Sequence, residues 1–365
     1  MSGGSVRHLY VHLPFCATRC GYCDFVTLVG RTGEHGAYVD ALLRELALER
    51  DALADPLDTI FLGGGTPTFT EPAALERVLA SLPAAAEVTI EANPETVHEG
   101  LTPVLARNGV NRVSIGAQTF NTALLDVLDR RARPEDVRRA VHVLRDAGFE
   151  NISLDLIYGI PGQTAPDLER DLEQALELAP DHLSCYELEA KPGTRFTHAH
   201  GEELGRQADA MEGYFELVVE TLVDAGYRWY ETANFCRPGR ESRHNLAYWL
   251  GRDYVGIGIG AVSTVGARRW RNAPKLRPYV DALASGRTPP REDEPLDPAT
   301  KARERLMLAL RLDEPVPLQA VGSAIDPAGL ARAERLGLAE RRGGGLALTR
   351  RGRFLGGAVT AEILA

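Results

Sequence analysis

Residues 8–25 read HLYVHLPFCATRCGYCDF, an apolar alternation closed by Pro14 and followed at once by three cysteines spaced C-x3-C-x2-C. His8 to His12 carries the period-two pattern of a β-strand. Cys16, Cys20 and Cys23 crowd into the loop behind it, and the only other cysteines in the 365 residues are Cys185 and Cys236. Such clustering points to metal rather than to a disulfide framework. Soft thiolates suit zinc or an iron–sulfur cluster. A structural zinc ion needs a fourth protein ligand, for which His12 or Asp24 is near in sequence. A cubane cluster held by three cysteines instead leaves one iron open, and the spacing favours this second reading. Cys185 and Cys236 read as a core thiol and an incidental one.

Outward from this loop, short apolar runs alternate with amphipathic stretches as far as residue 190. Strands are predicted at His8 to His12, Asp58 to Leu62, Glu87 to Glu91, Asn111 to Ile115, Asn151 to Leu156 and His182 to Glu187. Helices are predicted at Ala37 to Ala52, Pro72 to Ser81, Pro134 to Ala147 and Ala165 to Leu178, with apolar residues three and four apart. Pro72, Pro103 and Pro134 fall where a first helical turn tolerates a missing N–H, and Gly109 and Gly148 where helices end in positive φ. The pattern predicts an α/β fold of six βα units around a parallel sheet. Beyond Gly201 the rhythm changes to a long helix at about Arg206 to Asp224, a strand at Tyr227 to Glu231, a polar loop and the glycine-rich Gly256 to Gly260. A stretch rich in Pro, Asp and Glu, Thr288 to Pro298, reads as a linker. Residues 1–287 and 288–365 are therefore expected as two domains, the second a small helical, winged-helix-like module with a Gly343 to Gly345 turn.

Composition bounds the function. The chain is 44% hydrophobic and 25% charged, which excludes a disordered, collagenous or disulfide-stapled protein. Its 41 basic and 51 acidic residues give a formal charge of −10, the wrong sign for a general nucleic-acid binder. Arg341, Arg342, Arg350, Arg351 and Arg353 form a local basic run, read as a solvated face. No run of about 20 apolar residues is present, so no membrane span is expected and a cytoplasmic location is.

The stretch from Tyr10 to Phe25 resembles the signature of the radical S-adenosylmethionine superfamily. The resemblance continues through GGGTPT (residues 63–68), IEANPE (90–95), SIGAQTF (114–120) and LDLIYGIPGQT (154–164). It implies a partial barrel of six βα units, a 4Fe-4S cluster on Cys16, Cys20 and Cys23, and S-adenosylmethionine bound to the open iron. It further implies that Tyr10, Tyr22, Gly64, Gly65, Thr66, Glu91, Gln118, Arg130 and Asp155 bind these cofactors. Glu91 would take the ribose hydroxyls and Arg130 the carboxylate, for which a planar guanidinium fork is suited. Read without the family, GGGTPT is a tight turn, Tyr10 a strand aromatic, Glu91 a strand-end charge and Arg130, beside Arg131, a solvated residue. Ala132 departs from the branch, which usually carries histidine there.

Within the coproporphyrinogen-oxidase-like branch two functions compete. Oxygen-independent coproporphyrinogen III oxidases, radical enzymes of porphyrin metabolism that decarboxylate two propionates, extend the loop to a fourth cysteine. Here Phe25 stands in its place, as in a similar heme-chaperone family. That family also carries H-N-x-x-Y-W, present as His244, Asn245, Tyr248 and Trp249. Histidine is a common axial ligand of heme iron and aromatic rings pack on porphyrin faces. Read alone, the motif is a helix start capped by Asn245 with core aromatics. The resemblance thus implies a chaperone that binds heme and passes it to an acceptor protein, a respiratory enzyme being one acceptor class. No catalytic residue is assigned. The glycines of the stretch from Tyr254 to Ser263 would admit a large planar ligand.

Overall fold

The computed structural model describes residues 6–189 and 195–365. Contacts divide the chain into two units, Met1–Tyr214 with Asp253–Glu294, and Phe215–Arg252 with Pro295–Ala365.

In the first unit the six predicted strands are present as β1 (His8–Leu13), β2 (Leu57–Gly64), β3 (Ala85–Ala92), β4 (Arg112–Gln118), β5 (Ile152–Tyr158) and β6 (His182–Glu187). They pair in parallel in chain order, as βα units dictate. Leu9, Val11, Ile60, Leu62, Ile90, Val113, Ile115, Leu154 and Leu183 are fully buried, as expected of strands covered on both faces. The helix α1 (His35–Glu49) buries Tyr38, Val39, Leu42 and Leu46, and α2 (Pro72–Ser81) buries Leu75, Val78 and Leu79. Pro72 and Pro134 occupy first helical turns, and Gly109 and Gly148 have φ of +80° and +85°.

Two features differ from the sequence reading. The long helix expected at Arg206 to Asp224 is two, Arg195–Gln207 and Met211–Asp224, separated by a 3-10 turn at Ala208–Ala210. The glycine-rich stretch contributes a seventh parallel strand, β7 (Val255–Ile257), which adds to the free edge of β1 with Leu9 opposite Val255. A three-residue strand bounded by glycines carries too little pattern to be read from sequence. At Gly258 the missing side chain serves this packing. Gly258 has φ of +103°, and a Cβ there would lie 2.5 Å from the Tyr38 hydroxyl and 2.7 Å from the His12 carbonyl oxygen.

The same loop is clasped by Glu45 of α1, which is wholly buried. Its carboxylate accepts from Gly258 N (2.7 Å), Asn272 Nδ2 (2.7 Å), the Tyr279 hydroxyl (2.6 Å) and Arg291 Nη2 (3.2 Å). Burial pushes its pKa up, and these four donors oppose that rise.

The second unit has a β-hairpin (Arg228–Glu231, Asn234–Cys236), the helix Arg243–Trp249 and a helical tail starting with Pro298–Ala309. A small antiparallel sheet follows, with Gly345–Leu348 between Val316–Pro317 and Ala339–Arg342. Leu306, Val321, Leu346 and Ile363 form its fully buried core. Residues 215–252 join residues 295–365 through charge as well as packing. Arg311 Nε donates to the buried Glu231 at 2.6 Å, and Arg228 meets Asp313 at 2.8 Å. Three arginines of the basic run are taken up inside this unit: Arg341 by Glu334, Arg342 by the Asp313 carbonyl, and Arg353 over the Trp229 ring. Among the described residues no helix is long and apolar enough to cross a membrane.

Candidate cluster and cofactor site

A cavity of about 510 Å³ opens at the carboxyl ends of the parallel strands, where ligands of open α/β sheets lie. Cys16, Cys20 and Cys23 line it together with Tyr22, Gly64, Gly65, Thr66, Glu91, Gln118, Arg130 and Asp155. Tyr10 is not among the lining residues. Its hydroxyl faces His12 Nδ1 at 3.0 Å and its ring stacks on Phe61. His12 is enclosed as well. Its Nε2 is 2.8 Å from the Val26 carbonyl, which can only accept, so Nε2 carries the proton and Nδ1 accepts from Tyr10. Burial lowers the His12 pKa to about 4. This neutral, doubly bonded ring is not a fourth ligand for the cysteine loop, whereas Asp24 lines the cavity.

The cysteine loop is held from several strand ends. Leu28 N donates to the Pro14 carbonyl at 2.7 Å and Thr66 N to the Phe15 carbonyl at 2.8 Å, fixing the two residues that lead into Cys16. Gly64 has φ of +111°, and a Cβ on it would lie 2.5 Å from the His12 ring, so only glycine suits this close approach. The Cys16 sulfur is 3.7 Å from the Thr66 hydroxyl and the Cys20 sulfur 3.6 Å from Arg130 Nη1. Burial raises the Cys16 thiol to about 11, with Thr66 pulling the other way, so a metal group must displace its proton on loading. Among the described residues no three of His, Cys, Asp and Glu converge as ligands of a single ion.

Arg130 is not the solvated surface residue its neighbour Arg131 suggests. It is buried, its Nη2 donates to Asn93 Oδ1 (3.0 Å) and the Gly116 carbonyl (2.7 Å), and its Nε is buried without a partner. An orphaned guanidinium N–H on a cavity wall beside two thiols fits an anionic ligand group there. Glu91 accepts from Gly64 N at 3.3 Å. Burial lifts its carboxyl to about 7, with the nearby Asp155 charge adding to the rise. Asp155 accepts from Ser114 Oγ at 3.0 Å. Gln118 has φ of +67° at a register shift between β4 and β5, a bulge that re-aims its side chain.

Asn93 and Ser114 also line the cavity, and the sequence reading did not single them out. The available signal was the period of two: Asn93 shares a strand face with Glu91, and Ser114 with Gly116. Phe25 and Tyr186 lie at the same cavity and are 65% and 43% exposed, so two aromatic rings stand at its rim beside the exposed Arg19, Asp24, Glu187 and Glu189.

The H-N-x-x-Y-W residues lie in the second unit. Ser242, not Asn245, is the N-cap of their helix, its side chain accepting from Asn245 N. His244 is fully buried, its Nε2 2.9 Å from the Tyr248 hydroxyl and the two rings edge-on. The Arg311 guanidinium covers the Trp249 ring at 4.4 Å.

Comparison with known proteins agrees with this geometry. The radical SAM superfamily model matches residues 10–175, and the HemN C-terminal domain model matches residues 296–355. The structure of coproporphyrinogen III oxidase (HemN) from Escherichia coli superposes with a TM-score of 0.81 at 24% identity, covering 98% of this chain and 90% of that one, a likeness of fold. The protein is thus built as a radical SAM protein with a HemN-type tail, and membership of that superfamily implies a 4Fe-4S cluster and S-adenosylmethionine. The heme chaperone HemW of Mycobacterium tuberculosis (strain H37Rv) is 36% identical over 98% of this chain and 94% of its own length. HemW of Bacillus subtilis (strain 168) is 33% identical over 98% and 99%. HemW of Escherichia coli (strain K12) is 40% identical over 69% and 68%. The chain belongs to the HemW family.

Proposed function

We propose that this protein is a cytoplasmic heme chaperone, which binds a 4Fe-4S cluster, S-adenosylmethionine and heme and hands the heme to an acceptor protein, a respiratory enzyme being one acceptor class. The observation that carries the reading is the cysteine loop. Three thiols line one cavity, and Phe25, an exposed ring, stands where a fourth cysteine would mark the oxidase. The HemW relatives, similar along almost the whole chain, support the chaperone over the oxidase.

In this reading Cys16, Cys20 and Cys23 hold the cluster. Arg130 takes the carboxylate of S-adenosylmethionine, Glu91 its ribose hydroxyls, and Tyr22, Gly64, Gly65, Thr66, Gln118 and Asp155 complete the walls. The cluster, when bound, supplies an open iron and a one-electron reductant. Tyr10 acts through the strand, orienting His12, rather than by contact. His244, Asn245, Tyr248 and Trp249 contribute the heme site, with residues 288–365 as the accompanying C-terminal domain.

The deciding experiment is anaerobic cluster reconstitution, followed on one sample by heme titration and a coproporphyrinogen III assay with S-adenosylmethionine and a reductant. Stoichiometric heme uptake without conversion of coproporphyrinogen is expected. Conversion by cluster-loaded protein would overturn the reading. For His244 to reach heme iron through Nε2, that nitrogen must leave Tyr248, so by this route Tyr248→Phe should raise heme affinity; by either ring nitrogen His244→Ala should lower it at least tenfold. Identical heme spectra and affinity in a folded His244→Ala variant reject the ligand role.

A further inference from the structure

Asn93 stands between two of the cysteines without touching either. Its side-chain orientation is fixed by chemistry. The Arg130 guanidinium can only donate, so the Asn93 oxygen must face Arg130 Nη2 (3.0 Å), leaving the Asn93 amide N–H₂ toward the Thr66 hydroxyl (3.2 Å). Thr66 Oγ1 thereby accepts from Asn93, and its own proton is free for the Cys16 sulfur at 3.7 Å. On the other side Arg130 Nη1 points at the Cys20 sulfur at 3.6 Å. An unbroken chain results: Cys16, Thr66, Asn93, Arg130, Cys20. Its three middle members come from the ends of three separate structures, the loop after β2, the loop after β3 and the loop before Pro134. The backbone of Asn93 is itself pinned, since its carbonyl accepts from the Thr96 hydroxyl at 2.7 Å and from Thr96 N at 3.0 Å.

We propose that Asn93 is a positioning residue for the cluster: it holds the Thr66 hydroxyl and the Arg130 guanidinium as hydrogen-bond donors to the Cys16 and Cys20 sulfurs and so raises the cluster's reduction potential. Donors to sulfur ligands favour the more negative, reduced state, and partners beyond the ligands orient them. A thiolate carries no proton, so once the cysteines are ligands both bonds must be donated to sulfur. The inference rests on the cluster assignment above and adds a setting of its potential through one amide.

The test is EPR-monitored redox titration of the reconstituted full-length protein, with iron and sulfide content measured on each sample. Asn93→Ala is expected to load iron and sulfide as the parent does and to shift the midpoint to a more negative value. Thr66→Val should produce part of that shift and Thr66→Ser should restore the parent midpoint. In a Thr66→Val background, Asn93→Ala should shift the midpoint less than it does alone, because one arm is already gone. An unchanged midpoint in a fully loaded Asn93→Ala protein overturns the proposal, as does a shift that Thr66→Val leaves undiminished. Failure of the unsubstituted protein to assemble a cluster would instead strike the cluster assignment itself. Should Asn93→Ala fold poorly, Asn93→Asp keeps the acceptor for Arg130, removes the donor to Thr66 and adds a negative charge, so its midpoint should fall at least as far below the parent's as that of Thr66→Val.

Discussion

Glu91 shows how a single side chain couples the cavity to solution conditions. Burial, reinforced by Asp155, raises its carboxyl to about 7 from a usual value near 4.5. In the empty protein, ionising it costs stability: its contribution is full below about pH 4.5 and is lost as pH rises through about 7. For a ligand whose hydroxyls donate to it, the ionised form is the competent one. S-adenosylmethionine affinity is therefore expected to fall as pH drops from 8 to 6, and the dependence to disappear in Glu91→Gln, both measurable by calorimetric titration of cluster-loaded protein. A flat profile in the parent would remove Glu91 from the binding set. At this scale the residues named from the sequence line one cavity, Tyr10 and the H-N-x-x-Y-W residues apart, because each motif sits at a strand end. Only the family resemblance separated Arg130 from Arg131, since nothing local says which of two adjacent arginines turns inward, and it gave no reason for Asn93.

Among the elements, α1 does more than cover the sheet. Through Glu45 it binds the loop after β7 and the segment carrying Asn272, Tyr279 and Arg291, and Arg291 also meets Glu49 at 2.5 Å. Replacing Glu45 by alanine strands three buried donors and a guanidinium. Such losses cost about 3–5 kcal/mol, to be read from denaturant unfolding, with Glu45→Gln milder because it keeps an acceptor. A cost under about 1 kcal/mol would mean that water replaces the carboxylate. The six strands and their helices were legible because apolar runs of four to six residues alternate with amphipathic turns. The seventh strand was not, since its pairing with β1 is a contact between residues some 245 positions apart and leaves no periodic trace.

For the whole molecule, charge argues against nucleic acid twice over. The formal charge is −10, and the basic run that suggested a local exception is largely taken up by Glu334, the Asp313 carbonyl and the Trp229 ring. No retention of duplex DNA is expected in a gel-shift assay at about 0.15 M salt, where non-specific binding depends on free cations releasing counterions. A shifted band at micromolar protein would reverse that. The grouping of residues 215–252 with 295–365 leaves no local trace in the sequence, because Glu231 and Arg311 meet across 80 positions.

That grouping has a consequence during synthesis. When residue 252 leaves the ribosome, the hairpin carrying Trp229 and Phe235 lacks Phe354, which packs on Trp229, and Arg311, which neutralises the buried Glu231. At roughly 5–20 residues per second the missing partners are about 3–20 s away. Through that interval the newborn chain carries uncovered aromatic rings and an unpaired acid, and the first unit likewise waits for Arg291 to close on Glu45. A stop codon near residue 294 would make the wait permanent, so loss of the tail should be met by proteolysis of the nascent product and not by a shortened, working protein.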